Sequence, residues 1–164
     1  MHDQTPVQIA WVTQDLTATE TALTALMGAK KWVRMPGVHF GPETCTYRGE
    51  PADFVADISL SYAGDTQLEL IAPVSGTSIY TEFLGRSGPG LHHVCTAYPD
   101  PDSFEAAVAR ARQDGIPVVM EGTMPGGMRF AYVGAEHAGV PYLEFAYIPD
   151  EIHALFDHIK QEQK

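Results

Sequence analysis

The stretch Gln8-Ile9-Ala10-Trp11-Val12-Thr13-Gln14-Asp15 aligns without a gap on His93-Val94-Cys95-Thr96-Ala97-Tyr98-Pro99-Asp100. At the same offset Glu20 meets Glu105, Ala22 meets Ala107 and Leu23 meets Val108. Each copy later reaches a Leu-Glu-hydrophobic triplet followed by a proline: Leu68-Glu69-Leu70 with Pro73, and Leu143-Glu144-Phe145 with Pro149. The matched positions share one property: a polar side chain able to bind a metal lies inside an otherwise apolar β-type run.

Outward from this repeat, the order of elements recurs. Val7 to Thr13 reads as a strand, with Asp15 placed to cap a helix from Leu16 to Met27 that Gly28 ends. Lys31 to Arg34 reads as a short strand, and Pro36 to Pro51 as a turn-rich stretch. Phe54 to Tyr62 and Thr66 to Ile71 form a hairpin about Ala63-Gly64-Asp65. A connector over 74–89 carries a short helix from Ser78 to Leu84. The second half repeats the pattern: strand 91–97, helix 103–113, strand 116–120, a glycine-rich rim 122–127, and strands 128–133 and 142–147. A final amphipathic helix follows, with Asp150 as its expected cap. The expected organisation is one domain over 1–164, with modules at 5–73 and 90–148, the connector between them, and a C-terminal helix at 149–164. One such module cannot bury both faces of its sheet, but two can pair into one curved sheet around a cleft.

Composition bounds the function. The chain has 164 residues, 45% hydrophobic and 19% charged, as in an ordinary globular domain. A formal net charge of −11 opposes phosphate backbones and anionic lipid surfaces, which argues against nucleic-acid and membrane partners and for a small-molecule one. No apolar run reaches the roughly 20 residues of a membrane span. The N-terminal Met-His-Asp-Gln-Thr-Pro has no signal-peptide pattern. Two scattered cysteines form neither a disulfide framework nor a CxxC site. A reduced, cytoplasmic protein is the expectation.

Side chains alternate faces along a strand. Ile9, Trp11, Leu68, Leu70, Val94, Leu143 and Phe145 therefore share the helix-facing side. Gln8, Glu69, His93 and Glu144 share the other, on a concave surface lined by small residues. Two buried glutamates close together are costly unless one is protonated or a cation neutralises them. A divalent cation held by Gln8, Glu69, His93 and Glu144 meets that need and leaves open positions. One imidazole with three oxygen donors suits Zn²⁺, Ni²⁺, Co²⁺ or Mn²⁺, and a single histidine fits an iron oxygenase site poorly. Read singly, each of these residues has a bland explanation; the shared parity and repeat position make the case.

The patterns xIAxVxxDL at Gln8 to Leu16, TQLELIAP at Thr66 to Pro73, GLHHV at Gly90 to Val94 and PYLEF at Pro141 to Phe145 resemble the vicinal oxygen chelate superfamily. YRGEP at Tyr47 to Pro51 and FLGRSGPGLHH at Phe83 to His93 are most similar to its methylmalonyl-CoA epimerase and glyoxalase branch. The resemblance implies an α+β fold, two paired βαβββ modules forming one curved, cleft-enclosing mixed sheet: the glyoxalase/bleomycin resistance/dioxygenase fold. It implies one metal ligand from each of four strands, at Gln8, Glu69, His93 and Glu144. Bacterial epimerases and many glyoxalases carry histidine where this chain has Gln8, whereas some glyoxalases of the animal type carry glutamine.

The chemistry so implied is metal-assisted proton abstraction next to a carbonyl, in an isomerase, epimerase or lyase acting on a small carbonyl compound or acyl-CoA thioester. Glu144 is the base, Glu69 its symmetric alternative, and Glu50 a third candidate. Arg129, ahead of Arg34, Arg48 and Arg86, is the candidate for holding an anionic substrate. His92, of opposite parity, is expected to pack or hydrogen-bond away from the metal; His39 and His137 read as surface residues. A non-catalytic binding module of the same fold is the alternative, and a ring-cleaving dioxygenase is disfavoured by the single histidine. A homodimer follows from the family.

Overall fold

The computed structural model describes residues 4–164, so residues 1–3 of the N-terminal reading lie outside the described residues. The first half runs β1 (Pro6–Val12), α1 (Leu16–Met27), β2 (Val33–Phe40), β3 (Cys45–Tyr47), β4 (Glu50–Pro51), β5 (Phe54–Ala63) and β6 (Thr66–Ser75). Helix α2 (Ile79–Ser87) follows. The second half runs β7 (Gly90–Tyr98), α3 (Pro101–Gln113), β8 (Val118–Thr123), β9 (Arg129–Gly134), a 3₁₀ turn at Glu136–Ala138, β10 (Tyr142–Tyr147) and α4 (Asp150–Gln161).

The repeat recurs as local chemistry. Asp15 accepts a hydrogen bond from the Ala18 amide at 3.0 Å, and Asp100 accepts one from the Ser103 amide at 2.7 Å. Matched aspartates thus cap the helices α1 and α3, satisfying amides with no partner inside the helix. Helix α2 begins with a capping box between Ser78 and Thr81. Helix α4 departs from expectation. Its N-cap is Pro149, with no side-chain cap, and Asp150 lies in the first turn, where its charge favours the helix dipole.

All ten strands form one sheet in the order β2-β5-β6-β1-β7-β10-β9-β8-β3-β4. At its centre β1 pairs antiparallel with β7, while β6 and β10 flank them in parallel, so the two halves meet as mirrored copies. Residues 36–51, expected as turns, instead extend β2 and supply the hairpin β3–β4, which crosses to pair with β8 of the other half. Phe40 ends β2 at one edge and Cys45 starts β3 near the other, five residues on. Five extended residues reach at most about 18 Å, whereas the intervening strands of a flat sheet would span roughly 38 Å. The sheet must therefore curl until its edges approach. At the closure a Cβ on Gly122 would meet the Cys45 Sγ at 2.6 Å, so the missing side chain there admits β3.

The largest core cluster fills the concave face. Phe40, Phe54, Tyr80, Phe130 and Tyr132 pack there, with Phe40 and Phe54 stacked at 4.6 Å between ring centroids. This corrects the expectation of a concave surface lined by small residues. Ala10, Cys95 and Ala146 do sit beside the central polar groups, but the curl swings large side chains of the outer strands and α2 over them. On the convex side Phe104 and Val108 of α3 pack on Ala131. Helix α1 buries only Leu23; Leu26 of its expected apolar face is 81% exposed.

Candidate metal centre

Glu69 comes from β6, Gln8 from β1, His93 from β7 and Glu144 from β10, one from each central strand. The register sets Ala10 opposite both Glu69 and His93, and Cys95 opposite both Gln8 and Glu144, so the four polar residues alternate about one point. His93 Nε2 lies 2.9 Å from Glu144 Oε2, 3.4 Å from Glu69 Oε2 and 3.2 Å from Gln8 Oε1. Ligand atoms of Glu69, His93 and Glu144 all fall within 4.8 Å of one another. The His93 side chain is fully buried, while those of Glu144 and Glu69 are 5% and 14% exposed.

Electrostatics follow from this placement. Burial lifts the Glu69 carboxyl above the usual range, the charge of Glu144 adds to the rise, and His93 opposes it. Burial alone would lower His93, but its hydrogen bonds to Glu144 and Glu69 prevail and hold its imidazole up at about 9. At neutral pH the proton on His93 thus supplies the positive charge that the two carboxylates require. A divalent cation would replace that proton. Three oxygen donors and one nitrogen donor around one point fit such an ion, and Gln8, Glu69, His93 and Glu144 are the residues that would hold it.

The supporting groups were only partly legible. Gln8 Nε2 donates to Gln67 Oε1 at 2.6 Å, and Gln67 Nε2 donates to the Tyr62 hydroxyl at 3.2 Å. This chain of amides turns the Gln8 oxygen toward His93. Gln67, two residues before Glu69 and of equal parity, was available to the alternation argument. His92 packs away from the ligand atoms, as expected, but not for the reason of parity: the register shifts between Ala10/Trp11, which face His93/Leu91, so strict alternation fails at His92. Its ring is fully buried near those of Tyr80, Phe83, Tyr132 and Tyr142, with Nδ1 2.8 Å from His93 Nδ1. Burial, aided by the charge of His93, drives the His92 imidazole well below its ordinary value. The Tyr80 and Tyr132 hydroxyls lie 2.7 Å apart, and burial together with the site carboxylates pushes both phenols well up. No periodicity pointed to them.

A cavity of about 200 Å³ opens onto Gln8, Glu69 and Glu144. Neither Arg129 nor Glu50 lines it. Arg129 faces the convex side, over the Phe104 ring and paired with Glu105, and Glu50 is exposed on β4. Arg34 pairs with Glu20 at 2.9 Å and Arg48 with Glu82 at 2.5 Å. His39 is exposed and pairs with Asp53 at 2.7 Å, and His137 is exposed in the 3₁₀ turn.

The structure is similar to methylmalonyl-CoA epimerase from Mycobacterium tuberculosis, at 17% identity and a TM-score of 0.60 over 91% of both chains. A Streptomyces coelicolor methylmalonyl-CoA epimerase in complex with 2-nitronate-propionyl-CoA gives 19% and 0.59, over 88% of this chain and 98% of that one. A hypothetical protein from Bacillus halodurans C-125 gives 17% and 0.61, over 91% and 97%. At such identities the likeness is one of fold. A search of curated proteins by sequence returns no match. Residues 7–132 match the family model for the Glyoxalase/Bleomycin resistance protein/Dioxygenase superfamily. The match stops short of Glu144, whose place at the centre therefore rests on geometry. With most of its length matched and the curled sheet in agreement, the chain belongs to the Glyoxalase/Bleomycin resistance protein/Dioxygenase superfamily.

Proposed function

We propose that this protein is a divalent-metal-dependent isomerase, epimerase or lyase that moves a proton on the carbon next to a carbonyl. The observation that carries the reading is the convergence of Glu69, His93 and Glu144 within 4.8 Å, beside a cavity that Glu69 and Glu144 line. The fold shared with methylmalonyl-CoA epimerases supports it. Gln8, Glu69, His93 and Glu144 would hold Zn²⁺, Ni²⁺, Co²⁺ or Mn²⁺, whose chemistry when bound is Lewis-acid stabilisation of negative charge on a carbonyl oxygen.

The residues divide the remaining work. Glu144 takes the proton as the C–H bond breaks, leaving the electron pair delocalised onto the carbonyl oxygen. Glu69, from the opposite half of the sheet, returns a proton in an epimerisation; Glu144 itself returns it to a neighbouring carbon in an isomerisation. Tyr80 and Tyr132 keep their protons and wall off water. A reducing, cytoplasmic setting fits the free, buried Cys45 and Cys95, and a homodimer belongs to the same proposal.

A second reading, a binding module that sequesters its ligand without chemistry, is favoured by one observation. The protonated His93 satisfies both glutamates, and Gln67 satisfies Gln8, so the polar cluster is internally complete. Metal analysis of protein purified without chelator, followed by solvent-deuterium exchange into thioesters and hemithioacetals, separates the two. Stoichiometric metal with exchange that Glu144→Gln abolishes supports the enzyme. Absence of metal that reloading cannot restore leaves the binder.

A further inference from the structure

The cavity at the centre has a largely apolar wall with no basic side chain. Its described lining contains Glu69 and Glu144 at the inner end and no lysine, arginine or histidine anywhere. The sheet contributes Met35, Phe40, Ile58 and Leu60 from β2 and β5, and Phe130 from β9. Met124 and Pro125 of the glycine-rich rim form one lip, and Ile152, Leu155 and Phe156 of α4 form the other. The rim and α4 fit closely at Gly126 (φ +89°), where a Cβ would stand 3.2 Å from Ile152 Cδ1. Basic side chains are committed elsewhere: Lys160, on α4, faces a neighbouring cavity and pairs with Asp65 at 2.6 Å.

We infer that the reacting part of the substrate is an uncharged aryl or alkyl carbonyl compound of about one ring, and not a carboxylate-bearing acyl group. The inference rests on the reading of the centre as a metal site. There, the two charges of a divalent ion are already balanced by Glu69 and Glu144, so a substrate carboxylate would add an unbalanced charge to a cavity that offers no other cation and, apart from Gln8, Gln67 and the paired Tyr80 and Tyr132 hydroxyls, only apolar walls. Size points the same way. A cavity of about 150 Å³ lined by aliphatic and aromatic side chains is known to take up benzene, and this one measures about 200 Å³. Phe40, Phe130, Tyr80 and Tyr132 already pack edge to face within it, the geometry in which a further ring is favoured. Three flexible methionines, Met35, Met124 and Met128, let the wall adapt.

The test compares two ligands of matched shape, 4′-methylacetophenone and 4-acetylbenzoate, together with methylmalonyl-CoA. Each is titrated by calorimetry into the full chain in metal-free and cobalt-loaded forms. The neutral ketone should bind both forms, with the anion at least about 100-fold weaker. Leu155 is 42% exposed on α4, so Leu155→Lys places a cation at the lip without burying one; it should raise anion affinity about tenfold and lower that of the ketone. Met124→Lys, on the opposite lip, provides the same readout should the first variant unfold. Binding of 4-acetylbenzoate or methylmalonyl-CoA as tightly as the ketone, or no binding of the ketone, overturns the inference. Failure to take up cobalt would sink the metal reading alone, because the preference in the metal-free form is measured separately.

Discussion

Nδ1 of His92 lies 2.8 Å from Nδ1 of His93, two adjacent residues whose rings meet because β7 is irregular there. His93 Nε2 faces the carboxylates, so its Nδ1 carries a proton, both when Nε2 is itself protonated and when Nε2 binds an ion. That N–H donates to Nδ1 of a neutral His92, consistent with the lowered value of the latter. His92 then carries its own proton on Nε2, which has no hydrogen-bond partner among the described residues and sits among aromatic rings.

His92→Phe should therefore keep the packing but lose the acceptor that orients His93. Losses of such supporting partners weaken metal binding by about 10- to 100-fold. Competition with a chelating dye measures this, and the ¹⁵N shift of His93 Nδ1 should move as its N–H loses the His92 acceptor. Unchanged affinity would rule out an orienting role.

Metal linkage gives the second prediction. Ligand at about 100 times its Kd adds roughly 2.7 kcal/mol of stability, which for a domain of this size raises Tm by about 5–10 °C. Thermal unfolding with and without cobalt should show that rise in the parent protein and none in Glu69→Gln/Glu144→Gln. A rise of equal size in the double variant would place the ion elsewhere.

The pH dependence has a definite sign. The His93 imidazole is raised from 6.5 to about 9 on folding. The contribution is fully present below about 6.5 and is lost as pH climbs through about 9, on the order of 3 kcal/mol. Metal-free protein should lose Tm over that window, and His93→Gln should lose less. The same proton must leave for an ion to bind, so affinity should climb about tenfold per pH unit up to about 9.

Two glycines should respond oppositely to alanine. A Cβ on Gly122 would lie 2.6 Å from Cys45 Sγ and 2.9 Å from the Thr44 carbonyl oxygen. Gly122→Ala should therefore destabilise by about 1–3 kcal/mol through overpacking at the sheet closure. Gly85 is exposed in α2, with nothing within 4 Å of such a Cβ. Gly85→Ala should stabilise by up to about 1 kcal/mol. Urea unfolding of both variants checks the pair.

By itself, the sequence determined the central four strands and what they carry. A period of two assigns Gln8, Glu69, His93 and Glu144 to one face, and the repeat makes their positions equivalent, as the matched caps Asp15 and Asp100 illustrate. These are local properties of the backbone. What only the tertiary structure decided is everything that depends on residues distant along the chain. The irregularity that turns His92 inward arises from pairing between β1 and β7. The crossing of β3 to β8 depends on Gly122, some 77 residues from Cys45. The apolar walls come from β2, β5, β9 and α4, and Arg129 turns to the convex side, paired with Glu105. Alternation fixes which face a side chain leaves from, but only the closing of a curled sheet fixes what stands across from it.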